Sequence, residues 1–132
     1  MKHTILIIED NEQNLYLATF LLEQNGFKVV SARSGAEGIV LAGKTLPDLI
    51  ILDIQLPEMD GYEVAQALRK NADLRAVPIV AVTSYAMVGD REKALGAGCT
   101  GYIEKPINPQ TFKSEIENYL LSRQPTAGGT TP

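Results

Sequence analysis

The chain has 132 residues, 45% of them hydrophobic, a formal net charge of −4 and one cysteine. That length and apolar content suit one compact domain with a real core and leave little room for a second. The acidic balance, with no Lys/Arg run, argues against a direct nucleic-acid partner, and the lone Cys99, which has no internal disulfide partner, fits a reducing, cytoplasmic setting.

Thr4 to Ile8 is a short apolar run, and Ile5-Leu6-Ile7-Ile8 within it reads as the first strand. Glu9 and Asp10 end it at once. It is therefore neither a signal-peptide core nor a membrane span, which needs about 20 apolar residues. A soluble protein with no membrane partner is expected. His3 stands alone near the terminus and reads as a surface residue. Leu15, Ala18, Leu21 and Leu22 recur at helical spacing between Glu12 and Asn25, and Gly26 is placed to stop that helix. Lys28-Val29-Val30 is a short strand candidate. Ser34 with Glu37 three residues on reads as a capping box opening a helix through about Lys44.

Leu49-Ile50-Ile51-Leu52 is a second wholly apolar run, and it ends at Asp53. Val64, Ala67 and Leu68 mark a third helix from about Tyr62 to Asn71. Ile79-Val80-Ala81-Val82 is the next such run, ending at Thr83. A weaker helix spans about Val88 to Leu95, and Tyr102-Ile103 is a short strand before Lys105-Pro106. Asn108-Pro109 reads as a helix start, with Phe112, Ile116, Tyr119 and Leu120 as its apolar stripe. Runs that are apolar at every position indicate strands covered on both faces, and the two short candidates suit sheet edges. The alternation predicts an α/β fold of five β-α units around a parallel sheet with right-handed crossovers. Phe27, Tyr62 and Phe112 read as packing residues and Cys99 as a small buried one. The Pro/Gly/Thr-rich end lacks an apolar pattern, so residues 2–122 are expected to form the domain and 123–132 a flexible tail.

The chemistry-bearing residues stand at strand ends. In open α/β sheets, sites form beyond the carboxyl ends of strands where the strand order reverses. In a sheet of order 2-1-3-4-5, the first and third strands are neighbours, and Glu9, Asp10 and Asp53 share one pocket. Two carboxylates about 4 Å apart repel by roughly 4 kcal/mol at an effective dielectric near 20. Such a pocket keeps a proton or takes a cation. All-oxygen donors favour Mg²⁺, with Mn²⁺ as a substitute. Thr83 and Lys105 are expected in the same crevice. A hydroxyl and an ammonium beside a metal-bound carboxylate suit a phosphoryl group. Taken singly, each residue has a plainer reading: Glu9-Asp10 as acids capping the following helix, Asp53 as a turn residue, Thr83 as a strand end, Lys105 as a solvated charge. Their convergence from different strands carries the argument.

The set Glu9-Asp10, Asp53, Thr83 and Lys105-Pro106 resembles the signature of response-regulator receiver domains of two-component signalling. Leu56-Pro57-Glu58-Met59-Asp60-Gly61 matches that family's loop after the phosphoacceptor, and Ala97-Gly98-Cys99 before Gly101-Tyr102 matches its approach to the last strand. The resemblance runs from Lys2 to Ser122 and is greatest to stand-alone, cell-division-type regulators. It implies a flavodoxin-like (βα)5 sandwich. Asp53 would be the phosphoacceptor, taking its phosphoryl group from a histidine kinase or histidine phosphotransfer protein. Mg²⁺ would be held by Asp10, Asp53 and the backbone carbonyl of Gln55, with Glu9 acting through water or as a second acid. Lys105 would contact the phosphoryl group, and Thr83 and Tyr102 would form the switch. Lys105-Pro106 would be a cis bond. Ser84 stands where the family commonly has a small apolar residue, and Gln55 and Tyr85 occupy positions that tune phosphoryl lifetime. Readout would use the face of the fourth helix, fifth strand and fifth helix, with Arg91, Glu92 and Lys93 as contacts and a phosphorylation-dependent homodimer as one form. The resemblance describes a signalling domain that assists its own phosphorylation and dephosphorylation rather than an enzyme.

Three other readings stay open on sequence. An interaction module of the same fold has no need of the acids and Lys105. An aspartyl-phosphate hydrolase usually carries a second acid two residues on, where this chain has Gln55. A flavin-binding domain needs a phosphate-cradling loop after the first strand, where this chain has Glu9-Asp10.

Overall fold

The computed structural model describes residues 2–84 and 89–121. Tyr85, the expected helix start at Val88 and the tail 123–132 lie outside the described residues. Among those described, five strands form one parallel sheet: β1 (Thr4–Ile8), β2 (Lys28–Ala32), β3 (Leu49–Asp53), β4 (Ile79–Thr83) and β5 (Gly101–Glu104). Their order is β2-β1-β3-β4-β5, as expected, so the chain reverses direction across the sheet between β1 and β3. Helices α1 (Glu12–Gln24), α2 (Gly35–Thr45), α3 (Gly61–Arg69), α4 (Asp90–Gly96) and α5 (Phe112–Leu121) cover its two faces.

The all-apolar strands are the central ones. β3 and β4 are buried at every position, because each has a neighbour on both sides and helices on both faces. Alternate residues feed two cores. Leu6, Ile8, Ile50 and Leu52 pack with Val64, Leu68 and Leu74 on one face. Ile5, Ile7, Leu49 and Ile51 pack with Leu22, Phe112 and Ile116 on the other. Phe27, Phe112 and Cys99 are buried, and Tyr62 packs against the first core. β2 and β5 form the edges. Both run past the residues their apolar content marks, because ladder pairing carries Ser31-Ala32 and Gly101 into the sheet.

Local chemistry sets the helix ends. Asn11 caps α1 by accepting from Asn14 N at 2.9 Å. Ser34 Oγ accepts from Glu37 N at 3.1 Å, and Glu37 Oε1 accepts from Arg33 N at 2.9 Å. Asp60 and Glu63 form a capping box that starts α3 at Gly61 rather than Tyr62. α3 stops at Arg69, because Asn71 caps a 3₁₀ turn over Ala72–Leu74 instead of continuing the helix. α5 starts three residues later than Asn108-Pro109 predicts. Asn108 Oδ1 accepts from Gln110 N at 2.9 Å, and its carbonyl accepts from Thr111 N and Phe112 N, which holds 109–111 in a turn. Among the described residues, no helix is long and apolar enough to cross a membrane.

Candidate functional site

The carboxyl edge of the sheet continues its ladder past the strand ends. Glu9 N donates to Ala32 O at 3.0 Å, Ile54 N to Val82 O at 3.1 Å, and Lys105 N to Thr83 O at 2.7 Å. These bonds fix the backbone on which Glu9, Asp53, Thr83 and Lys105 stand. The Lys105-Pro106 bond is cis, as the resemblance implies.

Glu9, Asp53 and Thr83 are only 5%, 3% and 3% exposed. Polar groups buried this deeply need partners. Lys105 Nζ lies 3.0 Å from Glu9 Oε1 and 3.3 Å from Asp53 Oδ2, with its side chain 10% exposed. It is therefore a largely covered cation bridging two buried acids, not a solvated charge. Glu9 Oε2 accepts from Asn11 N at 3.2 Å, and Asp53 Oδ1 accepts from Gln55 N at 2.9 Å. Asp10 is half-buried, and its carbonyl accepts from Arg33 Nη2 at 3.4 Å. Ligand atoms of Glu9, Asp10 and Asp53 all lie within 4.8 Å of one another. The plainer reading of Glu9-Asp10 as helix-capping acids gives way, because Asn11 caps α1.

The cluster is short of positive charge. Three carboxylates face one ammonium, which leaves a double negative charge when all are ionised. The Glu9 carboxyl is pushed up to about 7, first by burial and then by its hydrogen bond to Asp53, with Lys105 opposing. An all-oxygen, net-negative, buried cluster of this kind suits a hard divalent cation.

Thr83 ends β4, and the next residue reaches back: Ser84 N donates to Gln55 Oε1 at 3.2 Å. Tyr102 packs against the first core, and its buried Oη has no hydrogen-bond partner among the described residues. Lys93, a surface-contact candidate on sequence, sits with Nζ 4.7 Å from the centroid of the Tyr62 ring, joining α4 to α3. His3 is 3.7 Å from Asp48 at the opposite edge and takes no part in the cluster. Sequence reasoning missed the Gln55 side-chain bond. No spacing rule announces a contact between residues 29 apart, although Gln55 following the strand-end acid was visible.

The sequence profile described as response regulator receiver domain matches residues 5–117. The polar-differentiation response regulator DivK of Brucella ovis is 44% identical over 120 residues, covering 91% of this chain and 98% of DivK. The receiver domain of sensor histidine kinase PA1611 from Pseudomonas aeruginosa PAO1, solved with a magnesium ion coordinated in its active site cleft, superposes with a TM-score of 0.84. It is 31% identical, over 91% of this chain and 98% of that one. The chemotaxis protein CheY4 of Vibrio cholerae superposes with a TM-score of 0.86 at 26% identity, over 90% and 99%. With its profile match, its strand order and its strand-end cluster in agreement, this chain belongs to the receiver domains of two-component response regulators.

Proposed function

We propose that Asp53 accepts a phosphoryl group from a phosphohistidine on a histidine kinase or phosphotransfer protein, with Mg²⁺, or Mn²⁺ in its place, as cofactor. The position of Lys105 Nζ, 3.0 Å from Glu9 and 3.3 Å from Asp53, supports this reading most directly. Asp10, Asp53 and the Gln55 carbonyl would hold the cation, with Glu9 as an outer acid. The ion would supply positive charge against the phosphoryl oxygens. A magnesium ion in the cleft of the related PA1611 receiver supports the choice of metal.

In the transfer, an Asp53 carboxylate oxygen attacks phosphorus in line. The new O–P bond forms as the N–P bond to the donor imidazole breaks, and the electron pair leaves with the imidazole. Lys105 stabilises the charge spread over the transferring oxygens. Glu9 already holds it in place, so little reorganisation accompanies the reaction. Thr83 donates its hydroxyl to a phosphoryl oxygen. Water later cleaves the acyl phosphate. The phosphorylated state shifts Thr83 and Tyr102, and with them the α4–β5–α5 face, where Leu95 is exposed beside Arg91 and Glu92. A downstream protein or a second copy of the chain binds there. Residues 2–122 act as the receiver, with 123–132 as an appended tail, in the cytoplasm.

Acetyl phosphate with Mg²⁺ tests the assignment. The wild type should take up one acid-labile phosphate and Asp53→Asn none. Uptake by Asp53→Asn at the wild-type level would remove Asp53 from its role. Tyr102 fluorescence or proton resonances that stay unchanged on phosphorylation would remove Tyr102 from the switch.

A further inference from the structure

Gln55 touches both sides of the crevice. Its N–H donates to Asp53 Oδ1 at 2.9 Å, and its side-chain oxygen accepts from Ser84 N at 3.2 Å. Ser84 directly follows Thr83, and Val82, two residues before it, pairs with Asp53 across the β3–β4 ladder. One exposed amide side chain thus ties the segment after β4 to the loop that carries the acceptor.

Ser84 N–H therefore spends its donor capacity on a neutral amide oxygen at the rim of the pocket. A phosphoryl group on Asp53 brings anionic oxygens to that rim. Hydrogen bonds to anionic acceptors are roughly twice as strong as neutral ones, so the phosphoryl group outcompetes the amide for the donors around it. Binding that favours one of two arrangements shifts the population toward it, and whatever stabilises the other arrangement opposes the shift.

We propose that Gln55 is a positioning residue: its side-chain amide tethers Ser84, and with it Thr83, in the unphosphorylated arrangement, and must release Ser84 N–H when the phosphoryl group arrives. The proposal rests on Asp53 as acceptor and adds a residue that sets how readily the site switches. The released side chain and N–H lie at the surface and meet water, so the opposing term is that of one exposed hydrogen bond. Removing the tether then strengthens binding of a phosphoryl group by roughly two- to tenfold.

The test uses the full chain with Mg²⁺ and beryllium fluoride as the phosphoryl mimic, comparing wild type, Gln55→Ala and Gln55→Glu. Gln55→Ala should bind the mimic two- to tenfold more tightly. Gln55→Glu keeps the reach and offers a stronger acceptor, so it should bind more weakly than wild type. In mimic-free protein the Ser84 amide proton should shift upfield and exchange faster in Gln55→Ala, which a general loosening of structure would not confine to that residue. Equal mimic affinity in wild type and Gln55→Ala, a shift in the same direction for both variants, or an unmoved Ser84 resonance overturns the tether. Failure of the wild type itself to bind the mimic would instead overturn Asp53 as acceptor.

Discussion

Arg69 Nε donates to the carbonyl of Gly98 at 2.8 Å, and a methyl group added at Gly98 would come within 2.7 Å of Arg69 Cγ. The same guanidinium donates from Nη1 to Leu74 O at 2.8 Å and Val77 O at 2.7 Å, and from Nη2 to Thr100 Oγ1 at 3.2 Å. It binds the segment entering β4 to the segment entering β5, on the sheet edge opposite the carboxylates. Burial lowers the Arg69 pKa, so its charge is held against a desolvation cost by carbonyl dipoles.

Arg69→Leu is expected to destabilise the domain by about 2–4 kcal/mol, since it strands several partly buried carbonyls that a charged donor had satisfied. Arg69→Lys should recover less than half of that, because an ammonium lacks the planar fork that reaches acceptors on two loops. Urea unfolding midpoints decide it. A loss below about 1 kcal/mol for Arg69→Leu would mean that water replaces the guanidinium at little cost.

Two glycines predict opposite signs for one substitution. A Cβ at Gly61 would lie 2.5 Å from Ile54 Cα and 2.8 Å from Asp53 O, both backbone atoms directly behind the acceptor. Gly61→Ala should therefore cost about 1–3 kcal/mol and weaken Mg²⁺ binding as Asp53 shifts. Gly43, inside α2, has only Asn71 Nδ2 at 3.6 Å, an ordinary contact. Gly43→Ala should stabilise by about 0.5–1 kcal/mol through helix propensity. Thermal unfolding of the two variants side by side gives the comparison, and equal signs would refute the steric account.

What the sequence reveals and what it hides follow one physical division. Ile50, Leu52 and Val80 announce central strands because burial on both faces leaves no position for a polar residue. Glu9, Asp53 and Lys105 announce a site only together, because charged residues at the ends of three different strands converge on one edge of a parallel sheet. Arg69 and the side-chain bond of Gln55 stay hidden: Arg69 stands beside Lys70 and Asn71, where a solvated face is the better guess, and Gln55 lies in a loop whose sequence names no distant partner. Their partners come from loops 5 to 31 residues away, which only the folded sheet brings close. The late start of α5 was hidden for a related reason: Asn108 and Pro109 suit a helix start and a turn equally, and the bond from Gln110 N to Asn108 Oδ1 selects the turn.

Leu46 closes α2 with φ 48° and ψ 65°, a left-handed conformation for a half-exposed leucine, while its N–H donates to Ala42 O at 2.9 Å. The side chain contributes little burial to offset a backbone cost of about 1–2 kcal/mol. Glycine removes that cost but gains entropy in the unfolded chain. Leu46→Gly should therefore raise stability by about 0.5–1 kcal/mol. A drop in the unfolding midpoint would show that Leu46 has a packing role beyond its C-cap position.

The raised Glu9 carboxyl gives a pH dependence with a definite sign. Burial, then the bond to Asp53, lifts it from 4.5 to about 7. Between those values the folded metal-free protein holds a proton that the unfolded chain has lost. Stability from this group is thus complete below pH about 4.5 and is lost as pH rises through about 7, a change on the order of 3 kcal/mol. Glu9→Gln should flatten that slope. The proton and the cation compete for the same cluster, so Mg²⁺ binding should release protons and weaken by up to about tenfold per pH unit below 7. Calorimetric Mg²⁺ titrations from acid to mildly basic pH, repeated in buffers of different ionisation enthalpy, measure both effects. Affinity that stays level down to pH 5.5, with no proton release, would show that Glu9 is already ionised in the metal-free site and that Lys105 outweighs burial there.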